Sequence, residues 1–413
     1  MSASAATIDA DFDVNFADPA FLADPWTPLT RLQEEAPVFF SRNQGGWVIS
    51  RHEDVRACYA DRRLSAARGD QFFRGMPPEI LAQTEAVRAF NRYNVNRMDG
   101  RDHTRVRALL LRAFDAGAIR KVEQFIGEVV EDVLDECGRL GKFEFLETVS
   151  AVLPTRVMQR LFGLPDEYRP LLFNLASQFT SASSAAAVTP ELLIQLDKAI
   201  RAINAVFDTF IPLREKEPGD DLISMMVHAR DGLNKLSHEE MLYNLVGLVV
   251  AGAETTAHSL ATQTARIARD PALTQRLRDD PDCAFALTTE LLRYPGTVKC
   301  MTRYAAEDIE LRGQKIAKGD LIWIMNAGAN VDTRVFSDPF TTIIDRPNAR
   351  DSMAFGPGLH FCIGHLLART ELAEFLKRAF RRFDIAILQD DVEMLSSYIF
   401  YGFRSLDVRF TAR

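Results

Sequence analysis

Cysteine is scarce in this chain and never paired along it. Cys58, Cys137, Cys283, Cys300 and Cys362 form no CxxC unit and no regular spacing, which argues against a disulfide framework and for a reducing compartment. Positive charge is also short. The 49 Lys and Arg face 57 Asp and Glu, a net charge of −8, whereas phosphate recognition needs a basic footprint, so nucleic acid is not an expected partner. Long apolar runs are missing too. Residues Met1 to Asp18 are polar and acidic, without the basic and apolar regions of a leader peptide or membrane anchor. Leu242 to Ala253 is too short, and too closely flanked by charge, to span a bilayer. No internal repeat is present. The balance left, 47% hydrophobic and 26% charged, is that of an ordinary globular chain with a substantial core, expected in the cytoplasm.

Helical periodicity dominates from Asp102 to Asp270, as in Phe125-Ile126-x-x-Val129-Val130-x-x-Val133-Leu134. Strand signals are short: Val38 to Arg42 and Trp47 to Ser50 around an Asn43-Gln44-Gly45-Gly46 turn, then Arg303 to Ala305, Ile309 to Leu311 and Leu321 to Met325. The Ser- and Ala-rich stretch Ser177 to Val188 reads as a mobile connection. Ser237-His238-Glu239-Glu240 is a capping box that opens a helix apolar nearly all round, hence interior. Inside that helix, Ala251-Gly252-Ala253-Glu254-Thr255-Thr256 breaks local rules, which tends to mark function.

The segment richest in chemistry is Phe355-Gly356-Pro357-Gly358-Leu359-His360-Phe361-Cys362-Ile363-Gly364. A helix-forming stretch, His365-Leu366-Leu367-Ala368-Arg369, follows, so Cys362 lies just before a helix N-terminus, where unpaired N–H groups favour a thiolate. Gly356, Gly358 and Gly364 let main chain approach a large flat ligand. Three other readings stand beside a metal-held thiolate. Cys362 could be a small buried hydrophobe, or His360, Cys362 and His365 a zinc ligand set. A dinucleotide loop is also conceivable, though its glycine spacing differs and no βαβ context precedes it.

Phe-Gly-x-Gly-x-His-x-Cys-x-Gly followed by Leu-Ala-Arg resembles the haem-ligand loop of the cytochrome P450 family. The resemblance runs from about Val38 to the C-terminus. It implies a mainly α chain with a minor β part, the cytochrome P450 fold, a triangular helical prism with small β-sheets. Residues 1–413 would form a single domain, with about 1–15 flexible. By the same resemblance Cys362 ligates the iron of haem b, with Ala251, Phe355, Gly356 and Gly364 against the cofactor. His103, Arg107, Arg303 and His360 would pair its propionates, since buried carboxylates must be paired. Glu254 and Thr255 resemble the acid–alcohol pair that relays protons toward dioxygen, although Asp is commoner in the family at the acid position. Glu290 and Arg293 resemble the Glu-x-x-Arg motif, with Arg346 as the third, structural member. Two departures stand out: Gly100-Arg101 replaces a proline-rich approach to the propionate helix, and Val331 replaces a common arginine.

The implied activity is hydroxylation of a C–H bond of a small, largely apolar substrate such as a terpenoid or an aromatic. Phe90, Tyr93, Gly247, Val250, Val298, Ile399 and Phe400 would line its pocket, with Lys299 as a polar anchor. No flavin or iron–sulfur segment is fused to the chain, so a two-iron ferredoxin and its reductase are the expected electron donors. A basic patch of Arg105, Arg112, Arg120 and Lys121 would steer the ferredoxin, and the chain is expected to be a monomer. The alternatives are a haem-thiolate isomerase or peroxygenase, or a haem sensor or electron carrier.

Overall fold

A computed structural model describes residues 9, 11–67, 73, 75–114, 116–184 and 189–413, residues 116–124, 183 and 184 by backbone alone. The chain forms two compact units. The first comprises Met1–Ala66, Ala286–Cys362 and Glu393–Arg404, the second Ala67–Phe285, Ile363–Val392 and Ser405–Arg413.

The first unit is built on a five-stranded sheet of order β1-β2-β8-β5-β3. Strands β1 (Val38–Ser41) and β2 (Gly46–Ile49) form the expected hairpin, in register Val38↔Ile49 to Ser41↔Gly46. Gly45 takes φ +57°, and a Cβ on Gly46 would lie 2.6 Å from the Leu321 carbonyl oxygen, so the two turn glycines serve different needs. β8 (Leu321–Ile324) joins β2 in parallel, β5 (Met301–Ala305) pairs with β8 antiparallel, and β3 (Leu64–Ser65) closes the edge on β5. Both faces of this sheet are covered. Ile322 and Ile324 pack with Val38, Ile49 and Val55, while Trp323 and Met325 turn toward Phe16, Trp26 and Leu29, which is why β8 reads as an unbroken apolar run. Helices α1 (Trp26–Glu35) and α2 (His52–Ala60) belong here, as does the separate β6 (Ile309–Leu311) and β7 (Gln314–Ile316) pair. The N-terminal stretch differs from expectation. Val14 and Phe16 are buried in this core, and Phe12 meets Phe39 edge-on, because apolar residues at 12, 14 and 16 anchor the segment.

The second unit is mostly helical. It contains α3 (Glu85–Tyr93), α4 (Gly100–Ala113), α5 (Ala116–Leu140), α6 (Val152–Leu161), α7 (Arg169–Ser184), α8 (Pro190–Lys216) and α9 (His238–Ala268). A later helix, α10 (Ala284–Arg293), runs from this unit into the first, and α11 (His365–Arg382) returns to the second. A sheet of β4 (Lys142–Glu144), β10 (Asp407–Ala412) and β9 (Phe383–Ile387) completes it. Helix α9 is the interior helix the sequence predicts, opened by a complete capping box of Ser237 and Glu240 and packed against α3, α6, α7, α8 and α11. The mobile connection expected over 177–188 is helical as far as Ser184. Thr180 and Ser181 hydroxyls donate one turn back, to Ala176 and Ser177 carbonyls, and Phe179 and Ala182 are buried, so a Ser/Ala-rich composition supports helix here. Residues 185–188 lie outside the described residues.

Candidate functional site

The cysteine loop is shaped by contacts the sequence does not announce. Asn330 Oδ1 accepts the Met353 N–H at 2.6 Å, and Met353 sinks into the sheet core. The loop then turns back on itself until the Cys362 N–H donates to the Phe355 carbonyl at 3.0 Å. Tyr59, on α2, is its floor. A Cβ on Gly358 would lie 2.6 Å from the Tyr59 carbonyl oxygen, and one on Gly356 would lie 3.4 Å from the Tyr59 ring. Both glycines also have positive φ, so two of the three loop glycines answer to backbone shape and to Tyr59. Gly364 is different: with φ −85° and no atom within 4 Å of an added Cβ, it leaves main chain open to a close-lying ligand. Arg303 is buried on β5, its guanidinium carbon 5.9 Å from the Tyr59 ring centre, while His360 is partly exposed on the loop.

Four of the five cysteines are buried and Cys362 alone is partly open. Burial pushes the Cys58 and Cys137 thiols up to about 12, which makes them poor anions. Arg369 Nη1 donates to His365 Nδ1 at 3.3 Å, one turn into α11. Among the described residues no three His, Cys, Asp or Glu side chains converge as a metal set, so His360, Cys362 and His365 do not form one in this structure.

Glu290, Arg293 and Arg346 come together in a fully buried network. Arg293 Nη2 and Nε donate to Glu290 Oε1 and Oε2 at 2.6 and 2.9 Å, and Arg346 Nε donates to both oxygens at 3.0 and 3.1 Å. The remaining guanidinium donors reach carbonyls of the 330–341 segment that precedes the cysteine loop. In the same unit Val298 bridges Phe400, and Ile399 is half-buried beside them. Lys299 is neither a substrate anchor nor solvent-facing. It is 1% exposed, its ammonium donates to the Ser397 carbonyl at 2.6 Å, and burial pulls its pKa down to about 8. The lysine ties the C-terminal turn to the segment after α10.

In the second unit, Ala251 is exposed in the middle of the otherwise buried α9, with Val250 and Thr255 half-exposed near it. Thr255 Oγ1 donates to the Ala251 carbonyl at 2.7 Å. Glu254 is 6% exposed and its Oε1 has no hydrogen-bond partner among the described residues. Burial pushes its carboxyl up to about 7, against a small opposing pull from the Thr180 hydroxyl on α7. His103 and Arg107 lie one turn apart on α4, His103 buried and Arg107 half-buried. Gly100 starts this helix with φ +62°, a conformation glycine adopts without strain. Gly247 does not face open space as expected of a pocket residue, because an added Cβ would meet the Asn94 amide nitrogen at 2.0 Å. Phe90 is buried edge-on to Phe179, and Tyr93 stacks on Tyr243. Tyr59, Asn94, Asn244 and Thr180 are the residues sequence reasoning missed; none sits in a motif, so nothing short of the fold points to them. Asn330, by contrast, stands beside Val331 in a segment the resemblance marks without suggesting its bond to Met353.

The family model described as Cytochrome P450 matches residues 65–287 and 283–398. The polyketide biosynthesis cytochrome P450 PksS of Bacillus subtilis is 31% identical over 399 residues, covering 94% of this chain and 96% of that protein. The mycinamicin IV hydroxylase/epoxidase of Micromonospora griseorubida is 32% identical over 358 residues, 85% and 86% of the two chains. The solved structure of Bacillus subtilis PksS superposes with a TM-score of 0.85 at 29% identity, covering 96% of this chain and all of that one. The chain belongs to the cytochrome P450 family. It is a monooxygenase whose cofactor is haem b, with the family's fold, mainly α with small sheets. No helix among the described residues is long and apolar enough to cross a membrane. Each unit taken by itself has residues of the kind the cofactor needs: in the first a partly open cysteine before a helix, in the second an uncrowded Gly364 and an exposed small residue in the middle of an otherwise buried helix.

Proposed function

We propose that this monooxygenase hydroxylates a C–H bond of a largely apolar molecule, with Cys362 as thiolate ligand and Glu254 and Thr255 handling protons. The observation that carries the proton-handling role is a buried carboxyl with one oxygen unpartnered among the described residues, next in sequence to a hydroxyl whose hydrogen is already committed. Burial pushes that carboxyl up to about 7. Haem, when bound, supplies the activation of dioxygen. Glu254 stores a proton on a carboxyl that no cation holds ionised, so it can release that proton at working pH. Thr255, donating to Ala251, turns its lone pairs outward and accepts a hydrogen bond from whatever carries the proton on. His103, Arg107, Arg303 and His360 are suited to two propionates, and Ala251, Phe355, Gly356 and Gly364 to the flat macrocycle. The Glu290–Arg293–Arg346 network positions the segment leading to Cys362. We read the two units as parts of one cytochrome P450 domain, a reading the family match across both supports. Replacement Cys362→Ser should abolish the strongly red-shifted Soret band of the ferrous protein with carbon monoxide. Retention of that band would remove Cys362 as the ligand.

For the substrate we favour a compact terpenoid or substituted aromatic, with Val250 and Ala251 leaving room and Phe90, Tyr93, Val298, Ile399 and Phe400 as walls. Gly247 adds no room to this reading. A second reading, a larger polyketide-derived molecule, is favoured by relatives named for polyketide biosynthesis and for mycinamicin IV. A bicyclic monoterpene ketone, a substituted naphthalene and a macrolide separate the two: the compact reading expects the first two to shift the Soret band toward high spin. Val250→Phe should abolish that shift. A shift with the macrolide alone would favour the second reading. Electrons are proposed to come from a two-iron ferredoxin and its reductase, to a monomeric enzyme. The expected basic patch is weaker than its sequence, because Arg105 pairs with Glu240 and Arg112 with Asp231, while the Arg120 and Lys121 side chains lie outside those described.

A further inference from the structure

We propose that Asn94, Asn244 and Gly247 form a clamp that fixes the turn after α3 on α9, and that this clamp determines substrate selectivity by holding Tyr93 in place. The selectivity half rests on the reading above that α3 and α9 border the substrate. Both asparagines are 1% exposed. Asn94 Nδ2 donates to the Tyr243 carbonyl at 3.0 Å, and its Oδ1 accepts the Asn96 N–H at 3.0 Å. Asn244 answers from the other side: Nδ2 donates to the Tyr93 and Glu240 carbonyls at 2.9 and 2.7 Å, and Oδ1 accepts the Val95 N–H at 3.0 Å. Turning either amide over would set donor against donor, so the network has one arrangement. The Tyr93 and Tyr243 rings stack beside it, 6.0 Å apart and 13° from parallel.

Gly247 is what admits the clamp. Asn94 reaches the Tyr243 carbonyl by lying across residue 247, the next turn of α9, and a Cβ there would strike Nδ2 at 2.0 Å and Cγ at 3.0 Å. The other end of α3 is held separately, since Asp197 Oδ1 on α8 accepts the Ala86 and Val87 N–H groups. Between these pins α3 relies on Ala86, Val87 and Phe90, apolar contacts that are non-directional and do not set a register. The clamp therefore decides where the C-terminal end of α3, and Tyr93 with it, stands relative to α9.

The experiment uses the full haem-loaded chain with two azole probes, imidazole and 4-phenylimidazole, and reads backbone amide exchange in parallel. In Asn94→Ala and Asn244→Leu, exchange of the 93–98 segment should rise about tenfold, and 4-phenylimidazole affinity should fall by a similar factor while imidazole binds as before. Gly247→Ala should do the same in the native background, yet add nothing to Asn94→Ala, where the obstructing amide is gone. Additive losses would overturn the proposal, because Gly247 would then act on the ligand directly. Unchanged exchange, or an unchanged ratio of the two azole affinities, would also overturn it. An unchanged ratio leaves the hydroxylation reading standing, whereas failure of native enzyme to oxidise any compound of the substrate panel sinks that reading without touching the azole ratio.

Discussion

Glu254 shows how much one buried carboxyl does in this protein. Its pKa rises from an ordinary 4.5 to about 7 because burial penalises the anion and no cation answers it. At Glu254 the native state therefore binds more of a proton than the unfolded chain between about pH 4.5 and 7, so this group's contribution to stability falls as pH rises through that window and stays low above it. Buried His258, its pKa pulled down to about 4, contributes in the opposite sense between about 4 and 6.5, and the difference between native and variant isolates Glu254. Glu254→Gln should match the native protein near the lower limit and exceed it at pH ~8 by at most ~3 kcal/mol, read from urea melts at the two values. A parallel pH dependence in the variant would show that Glu254 is not the titrating group. Lys299 does not confuse the measurement, since its lowered pKa acts in a separate window, from about 8 up to its ordinary 10.5, where stability should rise with pH. Thr255→Ala removes the hydroxyl bound to the Ala251 carbonyl and leaves Cys362 and the proposed propionate partners unchanged. NADH consumption should continue with hydrogen peroxide replacing product, and full product yield per NADH would exclude Thr255 from proton handling.

At the level of elements, two devices carry testable loads. The capping box satisfies an N–H at the start of α9 through the Ser237 hydroxyl. Ser237→Ala should cost about 1 kcal/mol in thermal or urea unfolding, with the haem spectrum unchanged. The Glu290 network is heavier. Arg346→Leu leaves the buried Glu290 with one guanidinium partner and strands the Ser337 and Asp338 carbonyls, so a loss of about 3–5 kcal/mol is expected. Arg346→Lys should recover little, because a lysine has one nitrogen where the native fork bonds both carboxylate oxygens and three carbonyls. A melting temperature within a degree or two of native in Arg346→Leu would contradict that role.

The whole molecule carries −8 net charge, so an acidic ferredoxin would meet an acidic enzyme and must find its cations locally. Arg105 and Arg112 are each paired with a carboxylate, and that reduces what they offer. Ferredoxin-driven turnover should still fall several-fold as salt rises from roughly 50 to 300 mM, where the screening length drops below about 10 Å. Arg112→Glu should flatten that dependence. Turnover indifferent to salt in the native enzyme would place the donor elsewhere.

Much of this was legible along the chain because the information is local. The capping box, the 43–46 hairpin turn, the Gly-rich approach to Cys362 and the i,i+3 spacing of Glu290 and Arg293 each act within a few residues, where backbone geometry and hydrogen bonding couple directly to sequence. Glycine shows where that legibility stops. Gly358 meets Tyr59 and Gly247 meets Asn94, partners about three hundred and one hundred and fifty residues away, so the same residue type that suggested a pocket marks a packed contact. Lys299 fails in the same way: its burial, its bond to Ser397 and its lowered pKa depend on the return of a distant turn, and composition says nothing of that. The sequence by itself determined the family and the cofactor class, because those reside in short motifs with fixed spacing. Only the tertiary structure decided which small residues face a partner and which face space, and how far burial shifts Glu254, because desolvation and close packing are set by atoms that distant segments bring in.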